Sequence, residues 1–463
     1  MQHTYDKSNY KKGFWYLIAT LFQGAFSDNF FKYTLIFLFL ATAGNNAVEF
    51  SRKVGAYAGM LFAVPYILFP GIFGALSDRV SKQRMVVWTK YLEICIMALG
   101  GIAILSGNTI FLWSVLFVMA TQSAMFSPAK YGILPEGLPE TRLSWGNGIL
   151  QMMTMIAIIA GVGIAGPAFE FLHGRDQVHF VSIVLVALSL IGIATSRKVF
   201  APPAADPQRS IPINPWSGMG KVFKIYSADK WLWLSVIGYV YFWFAGALLQ
   251  ANLIPYGRNL LELTPTEMSI QAVALAMGIG SGAVAAGYLS RGKIEVGLIP
   301  LGAFGMAVFC SLLALPSVGF QMSILLLSGV GFFGGVFDVP LAATIQSRSP
   351  AKERGAIMAV TNMLTFIGIF TAGALMLLFG QQGVSPRTVF LLCGVTTFAL
   401  GIYVSAVLLI LALRFGLWCL AHTLYSFRAP GRSNIHDHCG PHSVANHIAH
   451  PRSLINISLT LPL

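Results

Sequence analysis

The residues with the clearest chemical potential lie in an apolar stretch near the N-terminus, LFQGAFSDNFFKYT, which contains Asp28, Asn29 and Lys32. Burying an ionised side chain in hydrocarbon costs at least about 2.5 to 3.5 kcal/mol, so such groups face a partner or a wet cavity. Asp28 and Lys32 are four residues apart and share a helix face, as do Gln23 and Ser27. Two interpretations stay open: a self-neutralising pair that joins helices, or the polar wall of a substrate cavity.

Further candidate cavity residues lie within or at the ends of other apolar stretches: Asn147, Gln151, Gln250 and Asp338. Asp338 precedes Pro340 in the run GVGFFGGVFDVP, which predicts either a broken helix with backbone groups free for ligands or a simple kink. The aromatic run VYFWFAGALL (240–249) offers an apolar wall for a substrate, although interfacial anchoring or helix packing would also explain it.

Composition places the chain in a membrane. Only 10% of its 463 residues are charged and 56% are apolar, whereas soluble domains have roughly 25% and 45–50%. The net charge of +13 comes from Lys and Arg in short segments between apolar stretches, so no nucleic-acid partner is expected. The five cysteines are scattered, which predicts neither a disulfide framework nor a zinc site.

Apolar runs of about 20 residues predict an all-α membrane protein with about twelve transmembrane helices. The first six lie near 14–40, 54–77, 85–106, 109–127, 148–170 and 178–196. The second six lie near 231–255, 268–290, 294–315, 320–345, 355–380 and 388–413. Residues 197–230 are Pro-rich, polar and basic, so they predict a cytoplasmic linker between an N-terminal half (1–196) and a C-terminal half (231–413).

The distribution of Lys and Arg predicts that both termini are cytoplasmic. With this orientation, most cations fall in inner segments, and Lys90 and Lys130 are counted among them. The cations that fall in outer segments are Arg52, Lys53, Arg175, Arg258 and Arg387. The prediction is a multi-pass membrane protein; a place in the bacterial cytoplasmic (inner) membrane is what the family resemblance of its sequence strings implies.

The segment GALSDRVSKQR, between the second and third predicted spans, resembles the signature loop of the major facilitator superfamily, although Ser81 and Gln83 replace two of its residues. Gly74 would permit close helix approach, and Asp78 would cap a helix or pair with a cation. In the superfamily this loop is a latch between the halves; a generic positive-inside loop is the alternative. The candidate gating residues are Gly74, Asp78, Arg79, Lys82 and Arg84.

An internal repeat supports the same fold. The string SPAK occurs at 127–130 and at 349–352, after the fourth and the tenth predicted spans. Equivalent places in the two halves are expected of parallel six-helix repeats, which are the plan of the major facilitator fold.

Five strings together resemble the bacterial lysophospholipid transporter family: AFSDNFF in the first span, FSPAKYGILPE (126–136), WGNGILQ (145–151), FWFAGALL (242–249) and GGVFDVPL (334–341). The resemblance implies a transporter, not an enzyme, that flips lysophospholipids, chiefly lysophosphatidylethanolamine, to the cytoplasmic leaflet for re-acylation. It also implies no cofactor, a monomer in the lipid bilayer, and a functional link to a lysophospholipid acyltransferase. Gln151 stands where the family commonly has an acid, so a charge-based role there is in doubt. Export of amphipathic drugs or other small solutes is the alternative.

The tail, 414–463, resembles the start of the glycerophospholipid acyltransferase fold. In ANHIAHPR, His447 stands where that fold has its base, but Arg452 replaces the orienting acid. The tail is therefore interpreted as a truncated stump of a fused acyltransferase, and acyltransferase activity is the rival function from another class. No metal site is expected, because the nearby ligand types have no defined spacing: His436, His438, Cys439 and His442.

Overall fold

The computed structural model describes residues 10–42, 47–139, 142–208, 210–211, 214, 216, 219–290, 294–350 and 353–407, and every regular element in these ranges is a helix. The N-terminal half contains α1 (Tyr10–Thr42), α2 (Ala47–Leu68), α3 (Pro70–Arg79), α4 (Lys82–Ser106), α5 (Thr109–Gly137), α6 (Leu143–His173) and α7 (Phe180–Ser196). After α8 (Met219–Ala228), the C-terminal half contains α9 (Lys230–Pro255), a π-helical turn (Tyr256–Leu260), α10 (Pro265–Ser290), α11 (Leu298–Leu313), α12 (Phe320–Arg348), α13 (Arg354–Gln381) and α14 (Pro386–Val407).

Eight described helices are long and apolar enough to cross a membrane, and α2 with α3 would make a ninth span. Three further predicted spans coincide with α1, α7 and α11. The helix α1 carries Asp28 and Lys32 at its middle, and α7 and α11 are apolar helices of 17 and 16 residues. The chain is thus a multi-pass, all-helical membrane protein. The number of twelve spans stays a prediction.

The second predicted span, 54–77, is bent rather than straight. The helix α2 ends at Leu68, and the axis turns by 55° before α3. Pro70 is the first residue of α3, and its ring nitrogen cannot donate to a carbonyl one turn earlier, so the helical hydrogen bonding is interrupted there.

The fourth predicted span is too short at its C-terminal end. The helix α5 continues through Lys130 to Gly137, so the SPAKYGILPE string is helical and not a loop. Ile133 and Leu134 are completely buried in a cluster with Phe14 and Leu17 of α1. This apolar packing outweighs the local proline and glycine, and it extends the helix past the expected boundary.

A short amphipathic helix, α8, interrupts the predicted linker. Val222 and Tyr226 of α8 are buried against the C-terminal half, and the Tyr226 hydroxyl donates to the Ile357 carbonyl at 3.0 Å. The linker therefore has its own folded element, attached to the half that follows it.

The two halves pack together at the end of the bundle opposite the linker, which we call the far end; the end that carries residues 197–229 is the linker end. There α2 packs against α9 and α13, and α6 packs against α10. Ser51 of α2 donates to the Asn259 side chain at 3.1 Å. At Gly166 of α6, an added Cβ would lie 2.4 Å from the Pro265 carbonyl oxygen. This close approach holds the halves together at the far end.

The closest helix packing joins α10 to α12 through four glycines, which we call the glycine seam: Gly278, Gly282, Gly331 and Gly335. An added Cβ at Gly282 would lie 1.8 Å from the Phe332 carbonyl oxygen, and one at Gly331 would lie 2.1 Å from the Leu275 carbonyl oxygen. Small residues let backbones approach this closely in membranes.

Candidate substrate site

A buried ion pair lies inside the N-terminal half. Lys90 Nζ is 2.7 Å from Glu93 Oε2, and both side chains are 1% exposed. Gln23 accepts from Lys90 at 2.8 Å and donates to Glu93 at 2.6 Å, and Ser189 donates to the same Glu93 oxygen at 3.0 Å. The pair thus has hydrogen-bond partners on α1 and α7, as a buried pair requires if it is to be retained.

Two glycines make room for this network. An added Cβ at Gly192 of α7 would lie 2.3 Å from Gln23 Oε1, and one at Gly24 of α1 would lie 2.7 Å from Lys90 Nζ. The network therefore fixes how closely α1, α4 and α7 approach one another.

Asp28 interacts with α5. The Ser123 hydroxyl donates to Asp28 Oδ2 at 2.5 Å. In the described part of the chain, no ion pair within 4.0 Å joins Asp28 to Lys32, although their charges interact at longer range. Lys32 Nζ lies 5.7 Å from the centre of the Phe62 ring of α2, within the range of a cation–π contact. A direct pair between Asp28 and Lys32 is therefore not present. The side-chain amide of Asn29 donates to the Ala25 carbonyl of its own helix at 2.9 Å.

Lys130 adds a second cation to this wall. Its Nζ donates to Thr154 of α6 at 3.2 Å, and its charge interacts with that of Asp28. Asp28, Lys32 and Lys130 are all half-buried. They form a mixed-charge wall on α1 and α5, which presents groups of both signs to a ligand that carries both charges.

The C-terminal half contributes two of the predicted polar residues. Gln250 of α9 is exposed, and its side chain lies near the Tyr33 hydroxyl of α1, across the two halves. Asp338 of α12 is half-buried, and its Oδ1 is buried without a hydrogen-bond partner. The helix α12 is continuous from Phe320 to Arg348 with Pro340 inside it, so the broken-helix alternative for Asp338 is wrong.

The aromatic run 240–249 packs in several directions. Phe242 is buried in a cluster with Phe337 of α12, Tyr241 shares a 2.7 Å hydrogen bond with Thr397 of α14, and Phe244 packs beside Gly368 of α13. The run does not form one wall, because a helix distributes successive residues around its axis. Helix packing explains most of it.

The signature loop contacts the N-terminal half and the linker. Lys82 pairs with Glu136 of α5 and lies 4.0 Å from Asp78. The Ser81 hydroxyl donates to the Pro202 carbonyl at 2.8 Å, and the Asp206 amide donates to the Asp78 carbonyl at 2.9 Å. The two arginines of the loop, Arg79 and Arg84, are exposed. A latch between the halves stays a prediction.

The prediction that Gly74 permits a close approach of two helices is wrong in this conformation. An added Cβ at Gly74 would have nothing within 4 Å, whereas one at Gly132 of α5 would lie 2.5 Å from Lys82 Cε. The close approach beside the loop therefore occurs at Gly132, which the sequence analysis did not single out.

Some predicted residues lie outside the described residues: the side chains of Asn147 and Gln151, and the whole tail with His447 and its neighbouring histidines. Among the residues that are described, no group of three His, Cys, Asp or Glu side chains is placed to hold a metal ion.

Four polar residues of this half were not among the predicted site residues: Lys90, Glu93, Ser123 and Lys130. Lys90 and Lys130 were predicted to be cytoplasmic cations, but they lie inside the helices α4 and α5, respectively. The spacing of Lys90 and Glu93, three apart in an apolar helix, was the available signal for a buried pair. No comparable signal marks Ser123.

Residues 19–373 match the Major Facilitator Superfamily, so the chain belongs to this superfamily of membrane transporters. The fold agrees: a peptide transporter of the POT family, crystallised with a thioalcohol-conjugated peptide, superposes with a TM-score of 0.65 at 14% sequence identity, covering 86% of this chain and 96% of that one.

Within the superfamily, the chain belongs to the family of the lysophospholipid transporter LplT. The LplT of Klebsiella pneumoniae is 31% identical over 80% of this chain and 90% of its own length. The LplT of Cronobacter sakazakii is 31% identical over 79% of this chain and 89% of its own length. The LplT of Escherichia fergusonii is 30% identical over 81% of this chain and 91% of its own length. The family resemblance drawn from the sequence strings is confirmed.

Proposed function

We propose that this chain is a secondary transporter that flips lysophospholipids, chiefly lysophosphatidylethanolamine, to the cytoplasmic leaflet for re-acylation, by alternating access. The observation that carries the proposal is the mixed-charge wall of Asp28, Lys32 and Lys130 in a chain of the LplT family. A phosphoethanolamine headgroup has an anionic phosphate and a cationic ammonium, so it needs opposite charges within one site.

The charges of the wall match the two ends of this headgroup. Lys32 and Lys130 supply ammonium donors for phosphate oxygens, and the Asp28 carboxylate is an acceptor for the ligand ammonium. Ser123 and Thr154, which hydrogen-bond Asp28 and Lys130, orient these groups before the ligand arrives. The single acyl chain would pack along apolar side chains beside the mixed-charge wall.

We propose twelve spans with both termini in the cytoplasm of a bacterial cell, crossing the inner membrane. The excess of Lys and Arg at the linker end supports this orientation. The packed far end then faces outward, and the described conformation is closed on that side. We propose that the transporter acts as a monomer whose product is consumed by a lysophospholipid acyltransferase.

The test is uptake of labelled lysophosphatidylethanolamine into proteoliposomes that contain the purified chain, with protein-free vesicles beside them. We expect a rate well above that of empty vesicles, reduced by unlabelled lysolipid. Equal rates in both vesicles would refute the proposal, and competition by sugars or drugs but not by lysolipid would favour the export of small solutes. Acylation of lysophospholipid by the purified chain would contradict a role limited to transport.

A further inference from the structure

A cavity at the far end is separate from the mixed-charge wall. Its volume is about 430 Å³, which lies within the range of small-molecule sites. Residues of both halves line it, from α1 and α6 on one side and from the π-helical turn and α10 on the other. Phe37, its first lining residue, follows Lys32 by five residues on α1, so the cavity begins about 8 Å further along that helix.

Close packing of α6 against α10 lies between this cavity and the wall. An added Cβ at Gly166 would lie 2.4 Å from the Pro265 carbonyl oxygen. One at Gly163 would lie 3.2 Å from Val273 Cγ2. Along α6, both glycines come after Thr154, which contacts the wall, and before the residues that line the cavity. The cavity therefore lies on the outer side of the contact that closes the far end.

Two opposite charges line this cavity, one from each half. Glu170 of α6 and Arg258 of the π-helical turn are both exposed, and neither has an ion-pair partner among the described residues. Glu170 Oε1 accepts from the Thr266 amide at the start of α10 at 2.8 Å, which leaves its other oxygen for a ligand. Arg258 is one of the cations predicted on the outer side, where the positive-inside rule disfavours them, and π-helical turns are frequent at functional sites.

The deeper surface of the cavity is apolar. Phe37 and Leu40 of α1, Phe169 of α6 and Met268 of α10 line it, and each is at most 6% exposed. The His173 ring stacks on Phe169 with 4.9 Å between the ring centres. The cavity thus joins a buried apolar surface to exposed charges of both signs, which suits an amphipathic ligand with a zwitterionic head.

We propose that this cavity is an outer binding site for the zwitterionic phosphoethanolamine group of a lysolipid. The Arg258 guanidinium binds the phosphate through two parallel hydrogen bonds, and the second oxygen of Glu170 accepts from the ammonium. The first carbons of the acyl chain pack on Phe37 and Leu40. A headgroup that carries only negative charge would face the Glu170 carboxylate without a counter-charge, so this carboxylate discriminates against it.

The test is photo-cross-linking of the purified full-length chain, with a lysophosphatidylethanolamine that carries a photoactivatable group at the start of its acyl chain. The choice of ligand rests on the proposed function. Mass spectrometry should find the label on α1 around Phe37 and on α10 around Met268. Arg258→Gln should reduce this labelling about ten- to hundredfold at limiting lipid, as expected for a lost charge-assisted hydrogen bond.

Three further variants separate this site from the rest of the protein. Glu170→Gln keeps an acceptor for the Thr266 amide and should lose the preference for lysophosphatidylethanolamine over lysophosphatidic acid, which has no ammonium. Arg175→Gln is the matched control: this exposed arginine of the same end lies over the Phe171 ring and should label as the wild type does. Asp28→Asn alters the mixed-charge wall and should leave the far-end label in place.

The outcomes distinguish this site from the proposed function. Equal labelling of the wild type and Arg258→Gln would overturn the proposal, and so would equal labelling of the wild type by the two lysolipids. Glycerophosphoethanolamine has the same headgroup without the acyl chain and should compete only at much higher concentration; competition at the concentration of the lysolipid would overturn the assignment to a lipid. Far-end labelling that depends on Arg258, in a chain that shows no lysolipid uptake in proteoliposomes, would support this site and refute the proposed function.

Discussion

Lys90 and Glu93 form an ion pair inside a single helix, 2.7 Å apart, with almost no side-chain exposure. Each partner is also hydrogen-bonded to Gln23 of α1. The positive charge that α4 carries in the bundle is therefore neutralised within the same helix, and the pair links neighbouring helices. Both charges also interact with Asp28 of the mixed-charge wall.

Breaking this pair should destabilise the protein. Glu93→Gln leaves the Lys90 ammonium buried without its counter-charge, and we expect a loss of about 3 to 5 kcal/mol. The measurement is thermal unfolding in detergent. The double variant Lys90→Met/Glu93→Leu should be more stable than Glu93→Gln, because it removes both charges; equal or lower stability would show that the pair is not the dominant interaction there.

Asp28→Asn should abolish or strongly reduce lysolipid transport while the folded yield stays unchanged. The substitution keeps the shape and an acceptor for Ser123 but removes the charge of the wall. The measurement is uptake in proteoliposomes together with size-exclusion chromatography. Ser123→Ala is the matched variant, which keeps the charge but removes its donor, and it should have a smaller effect. Loss of folded protein in Asp28→Asn would instead support a structural role.

Lys130→Gln should weaken binding of lysolipids that carry a phosphate. The side chain keeps a donor for Thr154 at its 3.2 Å contact, but the charge that would face a phosphate is lost, which costs about 1.5 to 3 kcal/mol for a charge-assisted hydrogen bond. The measurement is the concentration dependence of uptake, where KM should rise with little change in the maximal rate. An unaltered KM would place the phosphate elsewhere.

Gly331→Val should disrupt the glycine seam. Even the first carbon of the new side chain would lie 2.1 Å from the Leu275 carbonyl oxygen, so α10 and α12 must separate, at a cost of at least about 1 to 3 kcal/mol. Thermal unfolding in detergent measures it. Gly280→Val is the control, since an added Cβ there meets nothing within 4 Å; equal effects of both variants would contradict the seam.

Asp229 predicts a pH dependence at the linker end. Burial is the largest single effect on the pKa of Asp229 and raises it, but the hydrogen bonds from the Leu232 amide, Arg348 and the Trp231 amide, together with the charge of Arg348, outweigh burial and hold the pKa below its ordinary value. The stabilisation is present above the ordinary aspartate range and is lost as the pH falls through the lowered native value. The difference in unfolding temperature between the wild type and Asp229→Asn should therefore vanish at acidic pH. A constant difference would rule out this linkage.

Much of the helical architecture could be predicted from the sequence because hydrocarbon forces long apolar runs into helices. The bend at Pro70 and the helix α8 could not be placed by hydropathy, since both depend on local hydrogen bonding and on packing against Ile357. The end of α5 was misplaced for a similar reason: the apolar run predicted a span that stops near 127, but burial of Ile133 and Leu134 against α1 extends the helix.

The candidate site could be predicted only in part. Spacing showed that Asp28 and Lys32 share a face of α1, but it could not show that a donor on α5 competes for the carboxylate. Likewise, the positive-inside rule led to Lys90 being counted with the cytoplasmic cations. The structure buries Lys90 in the bundle, where Glu93, three residues later, neutralises it. Long-range partners of this kind become visible only when the helices are assembled.

The attachments of the linker set a limit on how far the halves can move apart at that end. The Trp216 indole donates to the Ile67 carbonyl of α2 at 3.1 Å, and α8, which begins at Met219, is fixed to α13 through Tyr226. Three residues span at most about 10 Å when fully extended. The halves can therefore separate at the linker end only within this reach, unless the Trp216 indole leaves the Ile67 carbonyl or α8 detaches from α13. The alternating access that we propose would have to stay within this limit or break one of these two attachments.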